Sequence, residues 1–217
     1  MFVICWSPKG GSGTSVVTAS LALMLGARGP NRVLAVDLSG DLPSVFGLAE
    51  PDRPGVADWL AAAADVGVER LSRLTVEVAE EVDLLPLGSG QPIGAVERWD
   101  ALAGFLTSDE RDIVIDGGAL PHPALAVAAD QSLLVVRACY LALRRASRAA
   151  AQPTGVVIIR EPGRALSSLD VTRALGVDVV AEVPLDASIA RAVDAGLLAA
   201  RLPMSLRRSL NDVARAA

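Results

Sequence analysis

The sequence predicts a single α/β domain: a doubly wound, mostly parallel sheet with helices on both faces. Short, wholly apolar runs such as Phe2–Trp6 are typical of strands buried on both faces of a parallel sheet. These runs alternate with segments of helical periodicity along the whole chain, an order that places helices on both sides of one sheet. A length of 217 residues, 52% of them hydrophobic, suits one domain over residues 1–217.

The elements follow one another in a regular order. The predicted strands are residues 2–6, 32–38, 82–87, 112–116, 132–137, 155–159 and 177–181. The predicted helices are residues 16–28, 56–64, 93–106, 124–129, 141–151, 171–175, 188–195 and 204–215. The first helix is closed by Gly29-Pro30, and the second and fourth predicted strands end in acids, Asp37 and Asp116. Residues 40–53, rich in Gly, Pro and Asp, are predicted to form a mobile loop.

Composition excludes several classes of protein. A net charge of −5 argues against a protein that coats nucleic acid by bulk charge. Two cysteines, Cys5 and Cys139, are too few for a disulfide scaffold or a cysteine metal cage. No signal peptide is visible, and no apolar stretch reaches the roughly 18 residues that span a bilayer. We therefore expect a cytoplasmic protein.

The glycine-rich stretch after the first strand carries the chemistry. Residues 7–15 read Ser-Pro-Lys-Gly-Gly-Ser-Gly-Thr-Ser. Between a buried strand and a helix, such a loop turns backbone N–H groups toward one point, and the helix N-terminus adds partial positive charge. Glycine permits both the turn and the close approach of an anion. The loop therefore predicts a site for phosphate oxygens.

The order of a strand, KGGSGTS, a helix, VLAVD and then DIVID resembles the deviant Walker A ATPases of the ParA/MinD family. The late segments ADQSLLVV and VAEVPLD match later strands of that family, so the resemblance covers nearly the whole chain. It implies a P-loop fold that binds ATP with Mg²⁺, forms a homodimer and acts on a protein partner.

The resemblance also implies roles for single residues. In the family pattern KGGxGK[ST], the first lysine reaches the nucleotide of the partner subunit, and the residue in that place here is Lys9. Asp37 matches the first acid of the strand-two motif, and Asp116 matches the acid that orients magnesium, a role Ser15 shares through its hydroxyl. The implied phosphate cradle consists of Lys9, Gly10, Gly11, Ser12, Gly13, Thr14 and Ser15.

Three positions depart from the family pattern. Thr14 replaces the lysine that holds phosphates within the subunit, and a charge-assisted hydrogen bond is roughly twice as strong as a neutral one. Ser39 replaces the second acid of strand two, for which Asp41 is a substitute only if the loop is rearranged. Ile159 and Arg160 stand where many relatives carry an asparagine that reads adenine.

These departures predict a nucleotide-dependent dimerising switch that positions a partner, with slow or absent hydrolysis. Two alternatives stay open: a pseudo-ATPase scaffold that needs no nucleotide, and an ATPase of chromosome or plasmid partition. The degenerate loop resembles the TadZ/CpaE branch of the family, which places pilus-assembly machinery. Lys9, the one lysine among 20 basic residues, fits a need for a compact ammonium group.

Other features have simpler explanations. The C-terminal tail, with Leu206, Leu210 and Val213 on one face, is interpreted as a packed helix rather than a membrane anchor. His122 is interpreted as a loop residue. One free cysteine per subunit beyond the core excludes a shared iron–sulfur cluster. Two arginine clusters leave nucleic-acid binding open but disfavoured: Arg144, Arg145 and Arg148, and Arg207 with Arg208.

Overall fold

The computed structural model describes residues 1–49 and 53–216, and it contains one eight-stranded sheet. The strands are β1 (Phe2–Trp6), β2 (Val33–Asp37), β3 (Val76–Ala79), β4 (Val82–Leu85), β5 (Asp112–Asp116), β6 (Gln131–Arg137), β7 (Gly155–Arg160) and β8 (Val179–Pro184). Their order is β3-β4-β2-β5-β1-β6-β7-β8, and only the β3–β4 pair is antiparallel. The predicted fold class is confirmed.

Helices cover both faces of this sheet. They are α1 (Thr14–Gly26), α2 (Leu42–Phe46), α3 (Val56–Ala61), α4 (Val96–Ser108), α5 (Pro123–Ala128), α6 (Tyr140–Ala146), α7 (Ser168–Leu175), α8 (Ala187–Asp194), α9 (Met204–Ser209) and α10 (Val213–Ala216). Helices α1, α2 and α8–α10 pack on one face through a core that includes Val3 and Val114. Helices α3–α7 pack on the other face, against Ile4 and Trp6 among others. In the described part of the chain, no helix is long and apolar enough to cross a membrane.

The prediction of a mobile loop over 40–53 is wrong for its first half, which holds helix α2. Leu42, Val45 and Phe46 are buried against the core, and Pro43 stands in the first turn, where its missing N–H has no cost. A five-residue helix is too short for its periodicity to show in sequence. Residues 50–52 lie outside the described part of the chain.

Three further differences concern short or exposed segments. The 3-10 helix Val68–Arg73 and the edge strand β3 were not predicted from the sequence, and the residues of β3 are half-buried or exposed. The single C-terminal helix predicted over 204–215 is two helices, α9 and α10. Residues 210–212 separate them, and the Asn211 amide donates to the Asp212 carboxylate at 2.9 Å. Such side chains compete with helical backbone hydrogen bonds.

The candidate site lies at the carboxyl ends of the central strands. Strand β1 stands between β5 and β6: the chain passes from β1 to β2 on one side of the sheet, and after β5 it crosses to β6 on the other side of β1. In open α/β sheets, the crevice outside the carboxyl ends at such a switch point is where ligands bind. Asp37 and Asp116 are register partners at the ends of β2 and β5, which places both acids at this crevice.

Candidate functional site

The glycine loop has the backbone of an anion cradle. Gly11 and Gly13 have φ of +71° and +85°, values that L side chains rarely adopt. A Cβ added at Gly10 or Gly11 would meet no atom within 4 Å, so both glycines face open space. Gly13 then leads directly into α1, whose first N–H groups point toward the loop. The predicted phosphate cradle is thus a concave surface with room for a ligand.

Two serine hydroxyls fix the loop beneath Lys9. The Lys9 carbonyl accepts hydrogen bonds from Ser7 Oγ at 3.1 Å and from Ser12 Oγ at 2.7 Å. Both serines are buried, and the Ser7 N–H also donates to the carbonyl of Gly118 at 2.9 Å. Ser7 therefore connects the glycine loop to the loop after β5. Sequence reasoning missed this residue, although its place just before the loop is a signal that could have found it.

A cleft of about 410 Å³ opens above the cradle. Its lining consists of Ser7, residues 9–16, Ser39, Asp41, Ser44, Val45, Asp116, Gly118 and Ala119. All the predicted site residues except Asp37 therefore meet around one cleft. Lys9 is half-exposed, and among the described residues no carboxylate lies within ion-pair distance of its ammonium group.

Asp37 lies behind the cleft and organises the loop that follows β2. Its fully buried carboxylate accepts hydrogen bonds from the N–H groups of Ser39 at 2.9 Å, Gly40 at 2.8 Å and Leu42 at 3.1 Å. Burial raises the pKa of Asp37 from 3.8 to about 6, and the nearby Asp116 carboxylate adds to that increase. Its geometry suits a positioning role.

Asp116 faces the cleft from the end of β5. Its carboxylate accepts from the Gly118 N–H at 3.1 Å and from Ser39 Oγ at 2.8 Å. Burial raises its pKa, hydrogen bonds from Ser15 and Ser39 oppose that increase, and the Asp41 carboxylate contributes to it. Two adjacent buried carboxylates favour binding of a positive charge at this point.

The oxygen atoms near the cradle fit a magnesium ion. Ser15 and Asp116 would hold it, together with phosphate and water oxygens, because Mg²⁺ usually takes only one or two carboxylates and keeps several waters. The described residues contain no group of three or more His, Cys, Asp or Glu side chains placed to hold a metal. The site therefore depends on the ligand to complete any magnesium coordination.

A second, apolar cleft of about 210 Å³ adjoins the first, and Gly13 and Val16 line both. The other residues that line it are Val17, Ile159, Val183, Pro184, Leu185, Asp186, Ile189, Ala190, Val193, Asp194 and Leu206. Arg160 is turned away from it and forms hydrogen bonds with Glu182, Ser168 and the Leu166 carbonyl. An extended ligand held at the cradle can place a flat apolar group here.

His122, Cys5 and the apolar residues of the C-terminal tail lie in packing or capping positions. His122 begins α5: its Nδ1 accepts from the Ala124 N–H at 3.3 Å, and its ring stacks on Trp99 with centroids 4.2 Å apart. Burial raises the pKa of Cys5 to about 12. The apolar residues of the tail, Leu206, Leu210 and Val213, are buried.

Both predicted arginine clusters are exposed at helix ends. Arg144 and Arg145 lie in the last turn of α6, and Arg207 and Arg208 lie in the last turn of α9. Cations at these positions interact favourably with the helix dipole. Arg148 follows shortly after α6 and is also exposed.

Several solved structures are similar to this chain over nearly their whole lengths. A ParA family ATPase from Chlorobium tepidum TLS has a TM-score of 0.79 at 22% identity, with 99% of this chain and 97% of that chain covered. The MinC:MinD cell division protein complex of Aquifex aeolicus has a TM-score of 0.78 at 21% identity, covering 100% and 95%. The septum site-determining protein MinD complexed with Mg-ADP from Pyrococcus horikoshii OT3 has 0.75 at 21%, covering 99% and 95%. These likenesses establish the fold.

No curated protein sequence matches the chain. A sequence family does: residues 3–199 match the CobQ/CobB/MinD/ParA nucleotide binding domain. That match covers most of the chain, including the glycine loop and both buried acids. The chain belongs to the CobQ/CobB/MinD/ParA nucleotide-binding domain family.

Proposed function

We propose that this protein is an ATP-binding, dimerising switch of the cytoplasm that positions a partner protein or assembly, with slow or absent hydrolysis. The observation that carries the proposal is the open cradle of Gly10 and Gly11, which faces Ser15 and Asp116 across one cleft. Backbone N–H groups on one side suit phosphates, and oxygen ligands on the other suit magnesium. Membership of a nucleotide-binding domain family also supports nucleotide binding at this cleft.

Binding without rapid turnover follows from Thr14. This residue lines the cleft at the start of α1, but its side chain is neutral. Phosphoryl transfer depends on cations that neutralise charge developing on the phosphate oxygens, and a hydroxyl supplies none. A single subunit therefore offers the phosphates a cradle and a metal site but only one lysine, Lys9, at the rim.

Lys9 is the residue through which we expect dimerisation to depend on nucleotide. Its backbone is held by Ser7 and Ser12, whereas its ammonium group has no carboxylate within ion-pair distance in the described part of the chain. In a dimer, each Lys9 would reach the nucleotide of the other subunit and replace the charge that Thr14 lacks. Nucleotide binding and subunit association would then stabilise one another.

Two structural relatives support a role in binding a second protein. One structural relative is a MinD bound to Mg-ADP, and another is a complex of MinD with a second protein, MinC. A nucleotide-controlled dimer that binds a second protein is consistent with both. We expect the partner of this chain to be a protein that discriminates between the monomer and the nucleotide-bound dimer.

Titration with labelled ATP and ADP, with and without magnesium and with light scattering on the same samples, tests the proposal. We expect saturable binding that strengthens with magnesium and a doubling of the scattering mass with ATP. No saturable binding below millimolar nucleotide would overturn it. A constant dimer that ignores nucleotide would favour the scaffold alternative, which the neutral Thr14 also permits.

A further inference from the structure

We propose that Asp41, beside Ser15, positions the water shell of a magnesium ion at the phosphate site. This inference rests on the proposed nucleotide binding. Asp41 lines the same cleft as Ser15 and Asp116. The Ser15 hydroxyl faces both Asp116 and Asp41, with 3.4 Å between its Oγ and Asp41 Oδ2, and can donate its one proton to either carboxylate.

The loop after β2 is built to present Asp41 to the cleft. Gly40 has φ of +94°, a left-handed geometry that reverses the chain between Ser39 and Asp41. Asp37 holds this reversal from behind by accepting from the N–H groups of Gly40 and Leu42. The folded loop therefore places Asp41 at the phosphate cleft.

Asp41 stands at the N-cap of α2 but does not use its side chain as a cap. Its backbone carbonyl accepts from the Val45 N–H at 3.0 Å, whereas the side chain forms no capping hydrogen bond. An aspartate at this position usually accepts from the first N–H groups of the helix. Here the carboxylate is instead directed to Ser15 across the cleft. Because Leu42 and Phe46 are buried, α2 holds Asp41 in this place.

Position 39 is unsuited to a carboxylate in this chain. Ser39 Oγ lies 3.2 Å from an oxygen of Asp37 and 2.8 Å from an oxygen of Asp116. A third carboxylate between two buried ones would be repelled by both, whereas the Ser39 hydroxyl can donate its one proton to either. Asp41 is exposed, so its negative charge has little desolvation cost. A carboxylate is therefore less costly at position 41 than at position 39.

The geometry makes Asp41 a positioning residue rather than a direct ligand. Ser15 and Asp116 would supply two oxygen ligands, and the described residues contain no group of three or more His, Cys, Asp or Glu side chains placed to hold the metal directly. A magnesium ion keeps most of its waters, and a nearby carboxylate can accept hydrogen bonds from them. Removing such an outer partner typically weakens metal binding about 10- to 100-fold.

Binding of labelled ADP by the Asp41→Asn chain, in magnesium and in EDTA, tests this inference. Without metal, the asparagine should leave ADP affinity unchanged or raise it a few-fold, because one negative charge near the phosphates is lost. With magnesium, affinity should fall. The ratio of the two dissociation constants should therefore shrink roughly 10-fold. Structural damage alone would weaken binding in both solutions.

Two further variants serve as controls. Asp65→Asn removes an exposed acid outside the cleft and should leave the ratio unchanged, while Asp41→Glu should restore most of it. An unchanged ratio in Asp41→Asn overturns the inference and leaves the proposed function intact. Failure of the unaltered chain to bind ADP in either solution overturns both.

Discussion

Helices α2 and α8 touch at two glycines, and this contact allows a quantitative test of the fold around the site. Gly47 ends α2 with φ of +84°, and a Cβ built on it would lie 2.1 Å from the carbonyl oxygen of Gly196. We expect Gly47→Ala to lower the free energy of unfolding by roughly 3 kcal/mol. Left-handed geometry costs an L-residue about 1–2 kcal/mol, and forced displacement of packed backbone costs about 1–3 kcal/mol.

Gly176→Ala is the matched control. Gly176 ends α7 with φ of +70° and ψ of 16°, close to the +84° and 21° of Gly47, but its added Cβ would meet nothing within 4 Å. Its replacement should therefore cost only the conformational part, about 1–2 kcal/mol. Urea denaturation of the three chains gives both differences. Equal losses in the two variants would refute the argument that α2 and α8 are in tight backbone contact.

Gly47→Ala should also affect ligand binding. Helix α2 follows Asp41 at the phosphate cleft, and α8 lines the apolar cleft. Separating the two helices should widen the space that an extended nucleotide spans. We therefore expect Gly47→Ala to weaken ADP binding, whereas Gly176→Ala should not.

Three further predictions concern the titratable groups. Folding raises the pKa of Asp37 from 3.8 to about 6, so the folded chain holds this proton more tightly than the unfolded chain. The free energy of unfolding should therefore fall by roughly 3 kcal/mol as the pH rises from 3.8 to about 6. In denaturation experiments at a series of pH values, Asp37→Asn should lose this pH dependence. Asp116→Asn removes one of two adjacent buried charges, so without ligand it should raise the free energy of unfolding at neutral pH by roughly 1 kcal/mol. The same variant should weaken magnesium-dependent nucleotide binding. A less stable variant with unchanged binding would contradict both expectations. Burial lowers the pKa of His122, so the hydrogen bond with which its side chain caps α5 is present above its unfolded pKa and is lost as the pH falls through its folded pKa. His122→Ala should therefore lower the free energy of unfolding by about 1 kcal/mol more at pH 7 than in acid. A loss of stability that does not depend on pH would count against the cap.

The sequence was sufficient for the parts of the site that depend on local pattern. The glycine loop between β1 and α1 shows in the residue types alone, because positive φ and close approach both require glycine. Asp116 is found for a similar reason: it ends an apolar strand, and the carboxyl ends of parallel strands meet at one edge.

The remainder of the site depends on contacts between distant segments. The inward position of Asp37 and the outward position of Asp41 follow from one left-handed residue, Gly40, and from the burial of a helix too short to predict. His122 looks like a loop residue until Trp99, on a separate helix, is placed beneath its ring. Such pairings carry no periodic signal in the sequence.

The central claim is that Lys9 acts on the nucleotide of the other subunit, and mixing two defective chains tests it most directly. Lys9→Ala keeps the cradle, whereas Gly13→Val should destroy the cradle and keep Lys9, because Gly13 has φ of +85°. Neither variant alone should form an ATP-stabilised dimer. In a mixture, Lys9 of one chain can serve the cradle of the other, so the account predicts dimers with one bound ATP per pair. A mixture that forms no more ATP-stabilised dimer than the separate variants would contradict it.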